Sequence, residues 1–127
     1  MDDPSLDWKD KLTPMAGASW PIRCPHVFSA NELELLRQGL WPQDMDDRWV
    51  VWLQGDTLRC WRSWTGACIY EATVFVGADG HGLTPVLNVL DDTDTYQRAE
   101  TDERELERFE GVLSLLRRRD LDTTSVL

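Results

Sequence analysis

The chain has 127 residues, of which 42% are hydrophobic and 28% charged, and its formal net charge is −10. This length and composition fit a single globular domain and exclude a chain that is disordered throughout. The excess of carboxylates argues against binding to nucleic acid or to an anionic membrane, since both need clusters of Lys and Arg. Seven tryptophans are the unusual feature, and they predict a large core, an adhesive surface, or both.

The first 27 residues are predicted to form an irregular N-terminal arm. Proline removes a backbone donor and fixes φ, and four of the six prolines lie in this segment: Pro4, Pro14, Pro21 and Pro25. A pure linker would not need large aromatic side chains. We therefore expect Trp8 and Trp20 to hold the arm against the rest of the domain.

A helix is predicted over residues 30–38. Ser29 is placed as its N-cap, and Glu32 three residues later completes a capping box. Leucines follow at helical spacing and define an apolar face, namely Leu33, Leu36 and Leu40, with Leu35 beside them. Gly39 is placed to end the helix in a left-handed conformation.

The segment from Arg48 to Val89 has the β-branched and aromatic composition of strands. Turn signals divide it into four strands, which we place at residues 49–53, 58–64, 67–76 and 85–90. The first two turns fall at Gly55-Asp56 and Thr65-Gly66, and the glycine-rich segment 77–82 is predicted to be a flexible hairpin connection. Pro85 lacks a backbone donor and therefore places the fourth strand at an edge of the sheet.

A second helix is predicted after an acidic loop at residues 91–100. Its first turn carries carboxylates, which the helix dipole favours, at Asp102, Glu103 and Glu105. Its apolar stripe is Leu106, Phe109, Leu113 and Leu116. Arginines at 117–119 lie near its C-terminal end, and residues 121–127 are predicted to be a frayed tail.

These elements predict an α+β fold: a four-stranded antiparallel meander with two helices packed on one face and an irregular Pro-rich N-terminal arm. The predicted domain spans residues 28–120, between the arm at 1–27 and the tail at 121–127. Neither face of the predicted sheet is polar throughout, so both faces need cover. The helices can cover one face, and the arm, a second subunit or a ligand must cover part of the other.

Turn positions also predict the register, which determines the side chains that share a face. The first turn predicts the pairs Leu53–Leu58, Val51–Cys60 and Trp49–Arg62. The second predicts the pairs Arg62–Ile69, Cys60–Glu71 and Trp61–Tyr70. In this register Arg62 and Glu71 share a face with Trp49 and Trp64, whereas Cys60 and Cys68 point to different faces and form no disulfide.

The face that carries Arg62 is the candidate functional surface. One interpretation is an ion pair between Arg62 and Glu71, stacked on Trp49 or Trp64. The other is an anion site, in which Arg62 and the nearby Arg48 bind a carboxylate or phosphate between aromatic walls. The candidate ligand-binding residues are Arg48, Trp49, Arg62, Ser63, Trp64 and Glu71.

Part of the predicted sheet resembles a known family. The residues are Asp47-Arg48-Trp49-Val50-Val51-Trp52, then Leu58, Trp61-Arg62-Ser63-Trp64-Thr65-Gly66 and Cys68-Ile69-Tyr70. This pattern looks like a family of small uncharacterised bacterial proteins that share a W…RSWTG…IY core. The resemblance covers residues 44–71. It implies a sheet core and, because the family carries no assigned activity, no particular chemistry.

Other motifs do not complete a site. Cys24 and His26 lack the second ligand pair of a zinc site, and the acidic clusters at 44–47 and 91–94 match no calcium loop. Ser63 or Cys68 would need a neighbouring base such as His26 or His81, which the sequence does not bring close. The segment 77–82 lacks the Lys and the following helix of a phosphate loop. We predict no catalytic residue, no metal and no cofactor.

The composition favours a non-enzymatic protein-interaction module, for example an inhibitor or immunity-type protein that binds a basic partner, or a module that self-associates. The alternative is a small anionic-ligand binding domain with an Arg/Trp pocket on the sheet, and an enzyme acting at that pocket comes third. The acidic start, Met1 to Pro4, does not resemble a signal peptide. Three cysteines are an odd number, and no apolar run approaches the ~20 residues of a membrane span. We therefore expect a cytoplasmic protein with reduced thiols.

Overall fold

The computed structural model describes residues 8, 11–42 and 47–125, with side chains described to Leu116. Its strands are β1 (Ser19–Arg23), β2 (Val27–Phe28), β3 (Trp49–Gln54), β4 (Thr57–Arg62), β5 (Cys68–Thr73), β6 (Phe75–Val76), β7 (Gly82–Leu83) and β8 (Val86–Leu90). Its helices are α1 (Ala30–Gln38) and α2 (Asp102–Ser125). Within the described ranges, no helix combines the length and the hydropathy needed to cross a membrane. Two residues of the acidic cluster at 44–47, Asp44 and Asp46, lie outside these ranges. The side chains of the arginines at 117–119 lie outside them as well.

Helix α1 begins and ends where its sequence signals predict. The Ser29 hydroxyl accepts a hydrogen bond from the Glu32 backbone amide at 3.1 Å, and the Glu32 carboxylate accepts one from the Ser29 amide at 3.4 Å. This reciprocal pair satisfies two donors that the first turn would otherwise leave free. At the other end Gly39 has a backbone φ of +89°, a conformation that residues other than glycine rarely adopt.

The main sheet has five antiparallel strands in the order β1-β8-β5-β4-β3, so the predicted four-stranded meander is incomplete. The missing strand is β1, which lies in the segment predicted to be irregular and pairs along its length with β8, from Ser19 with Leu90 to Arg23 with Val86. Strand β8 is consequently interior, and the edge position predicted from Pro85 is wrong. Pro85 itself precedes β8, and its carbonyl accepts a hydrogen bond from the Cys24 amide. Pro21 lies within β1, which is an edge strand of the main sheet. An edge strand tolerates proline because one side of its backbone needs no partner strand.

The register of the first hairpin is as predicted, with Trp49 opposite Arg62 and Leu53 opposite Leu58. The predicted register of the second hairpin is wrong, by one residue at Cys60 and by two residues at Trp61. A bulge between Cys60 and Trp61 places Cys60 opposite Tyr70 and Trp61 opposite Cys68. A slip of one residue moves side chains to the other face of a sheet, so Tyr70 joins the Trp49 face and Glu71 leaves it.

Both helices pack against one face of the main sheet, as predicted. The core between them combines apolar side chains of the sheet with the stripes of the helices, which are Leu33 and Leu36 from α1 and Phe109, Val112, Leu113 and Leu116 from α2. Phe109 is completely buried, and its ring meets the edge of Tyr70 at 5.3 Å. The predicted stripe residue Leu106 is partly buried beside this core.

Three described residues of the N-terminal arm, Trp8, Leu12 and Met15, cover part of the opposite face of the sheet. Trp41, Val50, Trp61 and Cys68 form a second buried cluster there, and Trp8, Leu12, Met15 and Trp52 pack against it. Two polar contacts fix the arm. The Trp61 indole N–H donates to the Thr13 carbonyl at 2.7 Å, and the Met15 amide donates to the Glu71 carboxylate at 3.2 Å. The chain therefore covers this part of its second face with its own residues.

A second, three-stranded sheet has the order β2-β7-β6. The glycine-rich segment 77–82 connects β6 to β7 as a hairpin, as predicted, with the Gly77 amide donating to the His81 carbonyl at 2.9 Å. Gly82 lies against α1, where an added Cβ would stand 3.0 Å from side-chain atoms of Leu33 and Val74. A glycine at this position lets the small sheet approach the helix closely.

Candidate functional site

A pocket of about 450 Å³ opens at the end of the main sheet where β3 begins and β4 ends. Ligand pockets in proteins commonly have volumes of ~300–1,000 Å³. One wall comes from the β4–β5 connection and the start of β3, and the other comes from the loop before α2. The lining residues are Arg48, Arg62, Trp64, Thr65, Thr95, Tyr96 and Gln97.

Arg62 lies at the centre of a stack of aromatic rings. Its guanidinium carbon is 4.6 Å from the centroid of the Trp49 ring and 5.9 Å from that of Tyr96. Trp49 in turn stacks on the buried Tyr70, with centroids 5.9 Å apart and an interplanar angle of 18°. Packing against these rings stabilises the cation and restricts its rotamers, so the guanidinium is positioned before any ligand arrives.

Arg48 and Trp64 form the outer part of the pocket. The Arg48 guanidinium carbon lies 5.8 Å from the Trp64 ring centroid, and Trp64 is 68% exposed. Ser63, predicted to contact ligand, has a structural contact instead: its hydroxyl donates to the Asp47 carbonyl at 2.7 Å and its amide donates to the Arg48 carbonyl at 2.9 Å. Ser63 therefore fixes the backbone that carries Arg48.

Neither Arg48 nor Arg62 has a carboxylate partner among the described residues. Other arginines do have oxygen partners: Arg59 contacts Glu71 at 2.7 Å, Arg98 contacts Asp102 at 3.4 Å, and Arg108 donates to Tyr96 and to the Gln97 carbonyl. Both guanidiniums therefore line one pocket without a carboxylate partner among the described residues, in a chain with 23 acidic residues. A guanidinium presents five N–H donors that match carboxylate or phosphate oxygens.

Glu71 is not part of this pocket, which overturns the predicted Arg62–Glu71 pair. The bulge at Cys60 and Trp61 turns Glu71 to the arm side of the sheet, where it accepts hydrogen bonds from Arg59 Nε and from the Met15 amide. Of the six predicted site residues, the structure brings Arg48, Trp49, Arg62 and Trp64 together. Trp49 supports Arg62 from behind.

A buried carboxylate holds the far wall of the pocket, and sequence reasoning missed it. The Glu105 side chain is completely buried, and its Oε2 accepts hydrogen bonds from the hydroxyls of Tyr70 at 2.6 Å and Tyr96 at 2.5 Å. Its Oε1 accepts from the Ala99 amide at 2.9 Å. The loop that supplies Thr95, Tyr96 and Gln97 to the pocket is therefore tied to α2 through Glu105.

Arg108 and the tyrosines complete this network. Arg108 Nη1 donates to the Tyr96 hydroxyl at 2.7 Å and to the Gln97 carbonyl at 3.0 Å. Burial, and then the hydrogen bond to Glu105, raise the pKa values of Tyr70 and Tyr96 above the ordinary tyrosine range. Both hydroxyls consequently remain neutral donors to a higher pH than an ordinary tyrosine does. The only sequence signal for Glu105 was a carboxylate in a first helical turn, which is typical of exposed positions as well.

The cysteines and histidines form no comparable site. Burial raises the pKa of all three thiols, that of Cys68 to about 12, so these thiols are poor nucleophiles. His26 lies between the carboxylates of Glu32 at 3.3 Å and Glu110 at 3.6 Å. Within residues 8, 11–42 and 47–116, no three metal-ligating side chains are arranged to hold an ion.

Comparison with known proteins gave no relative. No family model, no curated protein and no solved structure matches the chain. A functional proposal consequently depends on the geometry of the pocket.

Proposed function

We propose that this protein binds a small anionic ligand in the pocket formed by Arg48, Arg62, Trp64 and the loop at Thr95–Gln97. The observation that carries the proposal is the pair of guanidiniums at one pocket with no carboxylate partner among the described residues. Arg62 is half-buried, whereas Arg48 is exposed, and a half-buried guanidinium normally has an oxygen partner. We infer that the ligand supplies that partner to Arg62 and that Arg48 adds a second cation in the same pocket.

The charge of the whole chain limits the size of the ligand. A net charge of −10 repels an extended polyanion such as nucleic acid, whereas a small anion fits within the local positive field of two guanidiniums. Contacts between charged partners at a few ångströms are screened much less than long-range repulsion. The supported ligand therefore carries one carboxylate or phosphate group and fits a volume of about 450 Å³.

The test is isothermal titration calorimetry with benzoate and inorganic phosphate as probes. Hydrogen bonds to a charged group contribute about 1.5–3 kcal/mol, so we expect Arg62→Gln to raise the Kd for the bound probe at least about tenfold. Arg23→Gln is the matched control, because Arg23 is exposed and pairs with Val86 at the other end of the main sheet. Binding that is equal in Arg62→Gln and the wild type, or absent for both probes, contradicts the proposal.

A protein partner is the second candidate, and a separate surface favours it. On the small sheet, Val27 pairs with Leu83 and Leu83 pairs with Phe75, and all three side chains are at least half exposed. A hollow of about 610 Å³ adjoins this row, with Asp79 on its rim. An apolar row beside the carboxylate of Asp79, on a chain of net charge −10, fits a basic protein partner.

A pull-down with the purified chain from a lysate of the source organism tests this second candidate. We expect the wild type to capture a basic protein that high salt releases, and Phe75→Ser to lose it, because Phe75 is the largest and most exposed side chain of this row and a few large side chains carry most of the binding energy of an interface. Trp64→Leu, a change in the anion pocket, is the control and should retain the partner. Capture of a second copy of the chain alone, or capture that Phe75→Ser does not change, argues against a basic partner.

A further inference from the structure

The exposed indole of Trp64 narrows the class of ligand. Trp64 lies in the connection between β4 and β5, held by the Gly66 amide donating to the Arg62 carbonyl at 2.8 Å and by the Arg62 amide donating to the Ala67 carbonyl at 2.9 Å. Its side chain is 68% exposed and lines the same pocket as both guanidiniums. Tryptophan is buried on average, so an indole held at a pocket mouth beside two cations is a platform for a planar group.

The opposite wall is fixed in place. Tyr96 belongs to this wall but is 5% exposed, because its ring faces the Arg62 guanidinium at 5.9 Å and its hydroxyl is turned inward to Glu105. The Thr95 hydroxyl donates to Asp92, and the Thr65 hydroxyl accepts from the Ala67 amide. The Thr95 hydroxyl is therefore already engaged as a donor, and the indole of Trp64 is an exposed aromatic surface beside the cations.

We propose that the ligand is a planar aromatic ring that carries one carboxylate or phosphate group, with the anionic group at Arg48 and Arg62 and the ring against Trp64. This inference rests on the proposed anion-binding function and adds the ring to it. Aromatic rings prefer offset-stacked or edge-to-face contacts with one another, and a guanidinium pairs with a carboxylate or phosphate through two parallel N–H donors. The two contacts together fix both position and orientation of such a ligand.

The experiment compares ligands of equal charge and similar size that differ in the ring. Benzoate is compared with cyclohexanecarboxylate, and phenyl phosphate with cyclohexyl phosphate, in titrations followed by backbone amide NMR shifts of the whole chain. We expect the aromatic member of at least one pair to bind roughly five-fold more tightly, the size of an ordinary aromatic contact. The pair that shows the preference identifies the anionic group.

Trp64→Leu is the decisive variant. It should reduce the preference to about one while both members of the pair still bind, because Arg48 and Arg62 remain. Equal affinity of aromatic and saturated ligands in the wild type overturns the ring proposal but leaves anion binding intact, and so does a preference that persists in Trp64→Leu. If none of the four ligands binds, the anion-binding function fails together with the inference.

Discussion

Replacement of Glu105 by leucine is expected to lower the free energy of unfolding by about 3–5 kcal/mol. The change removes the acceptor of three hydrogen bonds, from the hydroxyls of Tyr70 and Tyr96 and from the Ala99 amide. An unsatisfied buried donor costs about 1–3 kcal/mol. The change also removes the negative charge of Glu105, to which Arg108 is linked through the Tyr96 hydroxyl. Removal of one partner from a buried charged network typically has an effect of this size.

Urea denaturation measures this effect, with Glu103→Leu as the matched control. Glu103 lies in the same first turn of α2 but is exposed, so we expect its replacement to change stability by no more than about 0.5 kcal/mol. Glu105→Gln keeps one side-chain oxygen as an acceptor and should fall between the two. If Glu105→Leu is no more destabilising than Glu103→Leu, the buried network does not support the loop as described.

Replacement of Trp61 by alanine is expected to cost about 3–5 kcal/mol and to release the N-terminal arm. Trp61 is 3% exposed in the cluster on the second face of the sheet, and large-to-small changes of a buried aromatic have costs in this range. It also donates the indole hydrogen bond to Thr13. Hydrogen exchange should report the release, because the Met15 amide bonded to Glu71 loses its protection when the arm leaves the sheet.

A second variant of Trp61 separates packing from hydrogen bonding, and a change in the neighbouring turn is the control. Trp61→Phe keeps a ring in the cluster but loses the N–H donor, so we expect it to cost less than Trp61→Ala while still weakening protection at Met15. Trp64→Ala, in the neighbouring turn, removes an exposed indole and should leave that protection unchanged. Unchanged Met15 exchange in Trp61→Ala would mean that the arm does not depend on this cluster.

The elements that could be predicted are those with local signals. Helix α1 is bounded by a capping box at Ser29 and a glycine at 39, so its range followed directly. The β3–β4 register followed from the turn at Gly55, where six residues on each side pair without interruption. Arg48, Trp49, Arg62 and Trp64 were found together for the same reason, since they lie at the matching ends of this hairpin and in the connection that follows it.

The features that the sequence could not predict depend on contacts between distant segments. Strand β1 exists because it pairs with β8, about 65 positions later in the chain, and Pro21 masked its strand pattern. The bulge at Cys60 has no turn residue to mark it, so Glu71 was placed on the wrong face. Glu105 looked like an ordinary carboxylate of a first helical turn, and its burial arises only when the loop before α2 folds over it.

The most direct test of anion binding at the pocket is the response of arginine side chains to benzoate and, in a separate titration, to inorganic phosphate in ¹H–¹⁵N NMR. With at least one of the two anions, the Nε–Hε signals of Arg48 and Arg62 are predicted to shift progressively and to saturate with one common Kd. The signal of Arg59, whose Nε donates to Glu71 on the other side of the sheet, should stay in place. Saturating shifts at Arg48 and Arg62 alone support the proposed pocket. Shifts that are absent at both residues in both titrations, or that are equally large at Arg59, would contradict it.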